Sequence, residues 1–326
     1  MDKLTEIRQP IEAELKVYRT LFEETLQTDN PLLRLALQHL LQRPGKMMRP
    51  ILVLLAARMA GEVNGRVLHA AVSLELLHTA SLVHDDVVDE SDRRRGQKSV
   101  NVLLNNKAAV LVGDFLLSKA LYHAAATGSQ RVVTWVAELG QTLSDGELLQ
   151  LANLDKKEIS EEDYYDVIRK KTASLFATCA KTGMLLAGGS EEDTECLDKF
   201  GEYVGICFQL RDDIFDYDTT RDVGKPSGND MREGKLTLPV IHALTAAEDG
   251  EMFTLALDVR QGEADDEGIA RLVDFAIRQG GIRYAEEAMD RYSHMAVDGL
   301  PTDENRDPAI VESLSKYVNF VVGRDL

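Results

Sequence analysis

Proline is scarce in this chain, with eight among 326 residues. Pro10, Pro31, Pro44, Pro50, Pro301 and Pro308 fall near helix starts or in loops, so long helices can run uninterrupted. Alternation of apolar and polar residues never persists long enough for a sheet, which excludes a β-rich fold. Cysteine is rare too: Cys179, Cys196 and Cys207 are odd in number and loosely spaced, and fit neither a disulfide framework nor a zinc pattern. A reducing cytoplasm is the expected setting. Lys plus Arg is 37 against 55 Asp plus Glu, a net charge of −18. Such a surface repels nucleic acid and anionic lipid, so neither is an expected partner. Any phosphate ligand must be held locally, by clustered bases or by metal ions. The stretch from Met1 to Gln9 is charged and reads as no signal peptide. The longest apolar run, Ile51 to Ala57, is far too short to cross a bilayer, so no integral membrane segment is expected.

What remains is a helical pattern with enough apolar residues, 44%, for a sizeable core. Residues 66–88 are mostly apolar and free of Gly and Pro, as in a central buried helix. Residues 110–126 and 172–188 have the same character. No linker or composition shift divides the chain. The expectation is one all-α domain over 1–326, a bundle of about ten or more helices around a central cavity.

Two helix ends echo each other: Ser81-Leu-Val-His-Asp-Asp-Val-Val-Asp89 and Phe208-Gln-Leu-Arg-Asp-Asp-Ile-Phe-Asp216. Residues four apart on a helix share a face, about 6 Å apart along the axis. Asp85 pairs with Asp89 in this way, and Asp212 with Asp216, with Asp86 and Asp213 to one side. Carboxylates gathered on an apolar helix repel one another and are costly to desolvate. A solvated acidic face is the simplest account of one such run. Two runs, each ending an apolar helix and each ringed by bases, point instead to a hard cation. Mg²⁺ favours one or two carboxylates together with substrate phosphates and waters. A calcium loop starting at Asp216 fails, because Arg221 holds the glycine position and Ser227 the closing glutamate position.

The bases are Lys46 and Arg49 near a Pro-bounded helix start, Arg93-Arg94-Arg95 after the first cluster, Lys170-Lys171 before an apolar segment, and Lys225 and Lys235 after the second. Guanidinium forks bind phosphate oxygens bidentately, and helix starts attract anions. Part of the arginine run answers the helix dipole. Together these residues describe a polyphosphate site with metal on one side and Lys and Arg on the other.

The motif order resembles the trans-isoprenyl diphosphate synthase family, in its long-chain polyprenyl branch. The matching stretches are Gly45-Lys46-x-x-Arg49-Pro50, Glu75-x-x-His78-x-x-Ser81-x-x-x-Asp85-Asp86-x-x-Asp89, Arg94-Arg95-Gly96, Gly113-Asp114-Phe115-Leu116, Gly146-Glu147-x-x-Gln150, Lys171-Thr172, Phe208-Gln209-x-x-Asp212-Asp213-x-x-Asp216 and Gly224-Lys225 through Gly234-Lys235-x-Thr237-x-Pro239. The resemblance implies Mg²⁺, three ions per site with substrate bound. Asp85, Asp89 and Asp212 are then the direct ligands, with Asp86, Asp213 and Asp216 supporting. It implies that Arg94, Lys171, Lys225 and Lys235 hold an allylic diphosphate. Lys46, Arg49, His78 and Arg95 hold isopentenyl diphosphate. Thr172 and Gln209 turn polar oxygens toward a developing allylic cation. Asp85, Asp89, Arg94, Lys171, Thr172, Gln209, Asp212 and Lys225 carry the catalytic roles. It also implies a homodimer, and a medium- or long-chain product of the kind that supplies quinone side chains. Arg211 departs from the family pattern and is expected to pair with Asp216 or Asp218, or to touch phosphate. His84 is given no role.

A growing chain needs an apolar tunnel away from the metals. Ser81 lies one turn before Asp85 and Ala80 beside it; both are small. Short-chain relatives carry an aromatic floor near this level, so its absence implies a product longer than farnesyl. Leu117, Leu121 and Tyr122 are candidates for a deeper floor. A geranylgeranyl or farnesyl diphosphate synthase is the alternative. A terpene cyclase would not need Lys46, Arg49 and Arg95, and a non-catalytic synthase subunit would have lost its Asp clusters.

Overall fold

The computed structural model describes residues 3–42, 45–94, 96–217, 228–302 and 306–323. In chain order its helices are α1 (Lys3–Arg8), α2 (Glu12–Thr25), α3 (Pro31–Leu41), α4 (Met48–Ala60), α5 (Gly65–Val88), α6 (Val100–Leu103), α7 (Asn106–Ala126), α8 (Gln130–Leu154) and α9 (Glu161–Ile168). They continue as α10 (Ser174–Leu186), α11 (Glu191–Phe215), α12 (Asn229–Arg232), α13 (Leu238–Ala247), α14 (Gly250–Arg260), α15 (Asp266–Arg278), α16 (Gly281–Asp298) and α17 (Pro308–Val322). The all-α expectation therefore holds. The strands among the described residues are β1 (Arg93–Arg94) and β2 (Gln97–Lys98), an antiparallel hairpin that the arginine run did not announce. Pro31 and Pro308 open α3 and α17, where a missing N–H costs nothing.

The chain divides into two compact units. The first comprises Met1–Gly140, Leu175–Asp198 and Leu300–Tyr317; the second comprises Gln141–Ser174, Lys199–Gly299 and Val318–Leu326.

In the first unit, every residue of the run Ile51 to Ala57 on α4 is fully buried. Helix α5 packs along α7 through small side chains, Ala109, Ala120 and Ala124 among them. The approach is close enough for Ser73 Oγ to donate to the Ala120 carbonyl at 2.7 Å. A Cβ at Gly113 would lie 2.2 Å from the His84 ring. By length and hydropathy α5 and α7 could each cross a bilayer, which short apolar runs did not reveal; 56% and 44% of their apolar windows are buried in this fold. Helix α7 also departs from the fully buried reading. Its other face exposes Val110, Leu111, Leu121 and Tyr122, the last at 66%. A polar chain ties α2, α5 and α7 together: His69 Nδ1 meets His123 Nδ1 at 2.8 Å, and His123 Nε2 meets Thr25 Oγ1 at 2.9 Å. Buried Tyr317 on α17 donates to the Met48 carbonyl at 2.9 Å, bracing the start of α4.

The core of the second unit gathers Tyr217, Val240, Leu244, Val259, Leu272 and Phe275 from α13, α14, α15 and the turn that follows α11. Between α9 and α10 the backbone makes one π turn, Arg169–Ala173. Two glycines accommodate it. A Cβ at Gly205 would sit 2.4 Å from Ala173 Cα, and one at Gly146 would sit 2.8 Å from Lys171 Cγ. π turns inside helices recur at functional positions.

Candidate active site

In the first unit, the loop before α4 exposes Lys46 and turns at Met47 with φ of +53°. Arg49, in the first turn of α4, lies over the Phe176 ring at 5.1 Å. Burial raises the Cys179 thiol strongly; Arg49 opposes this and Glu75 adds to it, so both charges act at one place. His78 is half-buried one turn along α5, and its carbonyl accepts from Ser81 Oγ at 2.9 Å. Ala80 is buried.

Asp85 is half-buried and Asp89, the residue that ends α5, is exposed. Asp86 behaves differently. It is 2% exposed and accepts from Arg94 Nε at 2.6 Å. Burial raises its carboxyl from the ordinary range, and Arg94 pulls it back. The loop that returns Arg94 to the helix is held by Asn101, whose amide donates to the Asp86 and Ser91 carbonyls, and by Ser99 Oγ, which donates to the Ser91 carbonyl. His84 faces another way, 3.5 Å from Asp114. A mostly apolar cavity of about 450 Å³ opens on the Asp86 side of α5, lined by Thr79, Leu82, Val83, Asp86 and Arg94 among others. It is lined by neither Ala80 nor Ser81, and Leu116 reaches it rather than Leu117.

In the second unit, the π turn aims Lys171 at α8, where its ammonium donates to Glu147 at 2.7 Å and to Gln150 at 3.0 Å. Thr172 Oγ1 donates to Gln209 Oε1 at 2.8 Å, and Gln209 Nε2 donates to Asp213 Oδ1 at 2.8 Å. Tyr164 Oη donates to the other Asp213 oxygen at 2.6 Å. Burial, with the Asp212 and Asp216 charges, raises the Asp213 carboxyl against these donors. Asp212 is half-buried. Asp216 accepts from the backbone N–H groups of Asn229 and Asp230 at 2.9 and 3.1 Å, which caps α12 onto the end of α11. Arg211 lies over the Phe215 ring at 4.5 Å. Thr237 shares a hydrogen bond with Tyr217 at 3.0 Å, a structural use of that motif position. Lys235 binds Glu233 at 2.7 Å. Asp230, which sequence reasoning missed, is pushed far up by burial beside Asp213 and Asp216, with Lys235 opposing. Its signal was an acid set between two Gly-Lys pairs. Thr172, Gln209, Asp213, Tyr164, Lys171 and Asp230 all line one cavity of about 190 Å³. Arg95, Asp218 and Lys225 lie outside the described residues.

Among the described residues no three His, Cys, Asp or Glu side chains form a group able to hold a metal by themselves. A hard cation recruited together with a diphosphate fits the residues present, because Mg²⁺ takes one or two carboxylates and fills the rest with phosphate and water.

The profile of the polyprenyl synthetase family matches residues 30–275. The octaprenyl diphosphate synthase of Haemophilus influenzae is 37% identical over 294 residues, covering 87% of this chain and 88% of that one. The solved geranylgeranyl pyrophosphate synthase of Bacteroides thetaiotaomicron superposes with a TM-score of 0.86 at 45% identity, covering 99% and 100%. A polyprenyl synthase of Caulobacter crescentus, solved with calcium and isoprenyl diphosphate, has a TM-score of 0.89 at 30% identity, covering 98% of both. The chain belongs to the polyprenyl synthetase family.

Proposed function

We propose that this chain is a Mg²⁺-dependent prenyltransferase. It condenses an allylic diphosphate with isopentenyl diphosphate, head-to-tail and trans, to give a medium- or long-chain polyprenyl diphosphate. The observation that carries this reading is the paired design of the Asp clusters. Each unit contributes one, at the end of a helix, with bases close by and an inner Asp committed to protein donors. Family membership supplies the reaction, and the calcium and isoprenyl diphosphate in the Caulobacter relative support a metal–diphosphate site.

In this reading Asp85, Asp89 and Asp212 offer carboxylate oxygens to the metal, and Arg94, Lys171, Lys225 and Lys235 hold the allylic diphosphate. Lys46, Arg49, His78 and Arg95 bind isopentenyl diphosphate, with Tyr317 keeping the start of α4 in place. When bound, Mg²⁺ supplies charge neutralisation for the departing diphosphate. Arg94 and Lys171 are preorganised by Asp86, Glu147 and Gln150, so they meet the developing negative charge without reorganising. Thr172 and Gln209 present oxygens toward the positive allylic carbons. The family profile runs from residue 30 to 275, through parts of both units, which supports reading the chain as one functional domain.

Ala80 and Ser81 do not line the cavity beside Asp86, so the support for a product beyond farnesyl is that cavity itself, about 450 Å³ and mostly apolar, with Leu82, Val83 and Leu116 on its wall. The named products of the relatives run from geranylgeranyl to decaprenyl, and the Bacteroides enzyme favours a second reading, geranylgeranyl diphosphate. The exposed apolar stripe on α7, with Leu111 at 67%, supports a homodimer covering that face. Leu121 and Tyr122 lie on the same side, so this stripe supports an interface role for them over a tunnel floor. Free cysteines support a reducing, cytoplasmic setting. Incubation with farnesyl and isopentenyl diphosphates and Mg²⁺, read by mass spectrometry, tests the proposal. Chains longer than the primer are expected; turnover of the allylic substrate alone would mark a cyclase.

A further inference from the structure

Tyr164 has no assigned role, and Asp213 has so far stood among the supporting metal ligands. Their contacts indicate a different task. Asp213 is 2% exposed, and its two oxygens are taken by Tyr164 Oη at 2.6 Å and Gln209 Nε2 at 2.8 Å. Only the nitrogen end of the Gln209 amide can donate, so an acceptor carboxylate fixes which way that amide points. Its oxygen is turned away and accepts from Thr172 Oγ1 at 2.8 Å. Having spent its proton there, Thr172 keeps its lone pairs for the cavity that all four residues line.

Reversing the amide would set its oxygen against the carboxylate and its N–H groups toward Thr172. Thr172 would then accept, and the cavity would face donor hydrogens instead of acceptor oxygens. We propose that Asp213 and Tyr164 are positioning residues: they set the polarity of the Gln209–Thr172 pair so that acceptor oxygens face the allylic carbons. This rests on the proposed prenyl transfer. It assigns Asp213 a task other than holding metal.

The near-isosteric Asp213→Asn offers an amide that can donate to Gln209, which permits the reversed chain. Three measurements test the idea: steady-state kinetics, the same substitution in a Gln209→Ala background, and Mn²⁺ binding followed by electron paramagnetic resonance with a non-reacting allylic thiolodiphosphate. Asp213→Asn should lower kcat about a hundredfold, the scale on which preorganised polar groups act. KM for the allylic substrate and Mn²⁺ affinity should stay within about threefold. On the Gln209→Ala background the substitution should add little, because the residue it acts through is gone. Asp213→Asn that weakens Mn²⁺ binding about tenfold or more, or effects that multiply with Gln209→Ala, would overturn the proposal. If Asp213→Asn does not fold, Tyr164→Phe carries the test, with a smaller loss of kcat, unchanged Mn²⁺ binding and no effect on the Gln209→Ala background. Asp212→Asn serves as control. If it leaves Mn²⁺ binding intact, the metal assignment of the proposed function fails and the positioning idea does not.

Discussion

His123 is the most sharply defined pH-sensitive point of the first unit. It is 3% exposed, and burial, with lesser help from the His69 and Lys119 charges, lowers its pKa from 6.5 to about 4. The hydrogen bonds also select its tautomer. Thr25 Oγ1 donates to the Leu21 carbonyl at 2.7 Å, so it must accept from His123 Nε2–H. His123 Nδ1 is then the acceptor, and His69 Nδ1–H the donor. A second proton on His123 has no place without breaking the contact to α5. The folded state therefore binds this proton less well than the unfolded chain. The resulting stability is fully present above pH 6.5 and is lost as pH falls toward 4. Linkage over that shift gives a loss of about 2 kcal/mol between pH 7 and pH 5. His123→Gln keeps a donor and an acceptor but cannot titrate. In denaturant unfolding at fixed protein concentration, the wild type should lose about 2 kcal/mol more than this variant between the two pH values. Histidine-labelled NMR should find the ring still neutral at pH 5. Equal losses in both proteins, or a ring titrating near its ordinary pKa, would refute the reasoning.

Gly205→Ala drives a Cβ against Ala173 Cα at 2.4 Å and should displace the π turn that carries Lys171 and Thr172. Such misplacement costs kcat about a hundredfold, measured by steady-state kinetics, while the circular dichroism spectrum stays helical. Asp86→Asn removes the charged acceptor of Arg94, which is half-exposed and can re-solvate; KM for the allylic diphosphate should rise about tenfold in initial-rate assays, with overall stability changed little. Leu116→Phe, on the wall of the cavity beside Asp86, should shorten the product seen by mass spectrometry, and unchanged length would place the tunnel elsewhere.

The Asp clusters were legible because helix periodicity alone sets Asp85 with Asp89 and Asp212 with Asp216 on one face. The Lys and Arg positions were legible as types in order. How they are held was not. Arg94 returns to Asp86 through a hairpin, and Asp216 is capped by backbone N–H groups more than ten residues on. Tyr164 and Tyr317 act from 49 and 269 residues away, and no local pattern marks them. Burial beside Asp213 and Asp216 raises the Asp230 carboxyl only because the chain folds it there. The α7 stripe was misread for a related reason. An apolar helix face declares that it needs covering and is silent on whether its own chain supplies the cover. Arg211, expected at Asp216, Asp218 or a phosphate, lies over the Phe215 ring, a neighbour four residues on that charge reasoning did not consider.

The echo between the two helix ends is deeper than their shared letters. In Asp-Asp-x-x-Asp, the first and last residues share a face, and the second is turned about 100° from the first. In both clusters that second residue points inward and is 2% exposed. A buried carboxylate is tolerated only when donors compensate it. Asp86 receives a guanidinium, and Asp213 receives a phenol and an amide. Each compensating group belongs to, or holds, a residue that the proposed chemistry needs: Arg94 in one case, Gln209 and through it Thr172 in the other. On the proposed chemistry the doubled Asp joins two functions one residue apart: an oxygen offered to a metal and a buried one that fixes the group beside it. An Asp→Asn exchange should therefore separate the two: metal affinity should follow positions 85 and 212, and the geometry of the phosphate and cation contacts should follow positions 86 and 213.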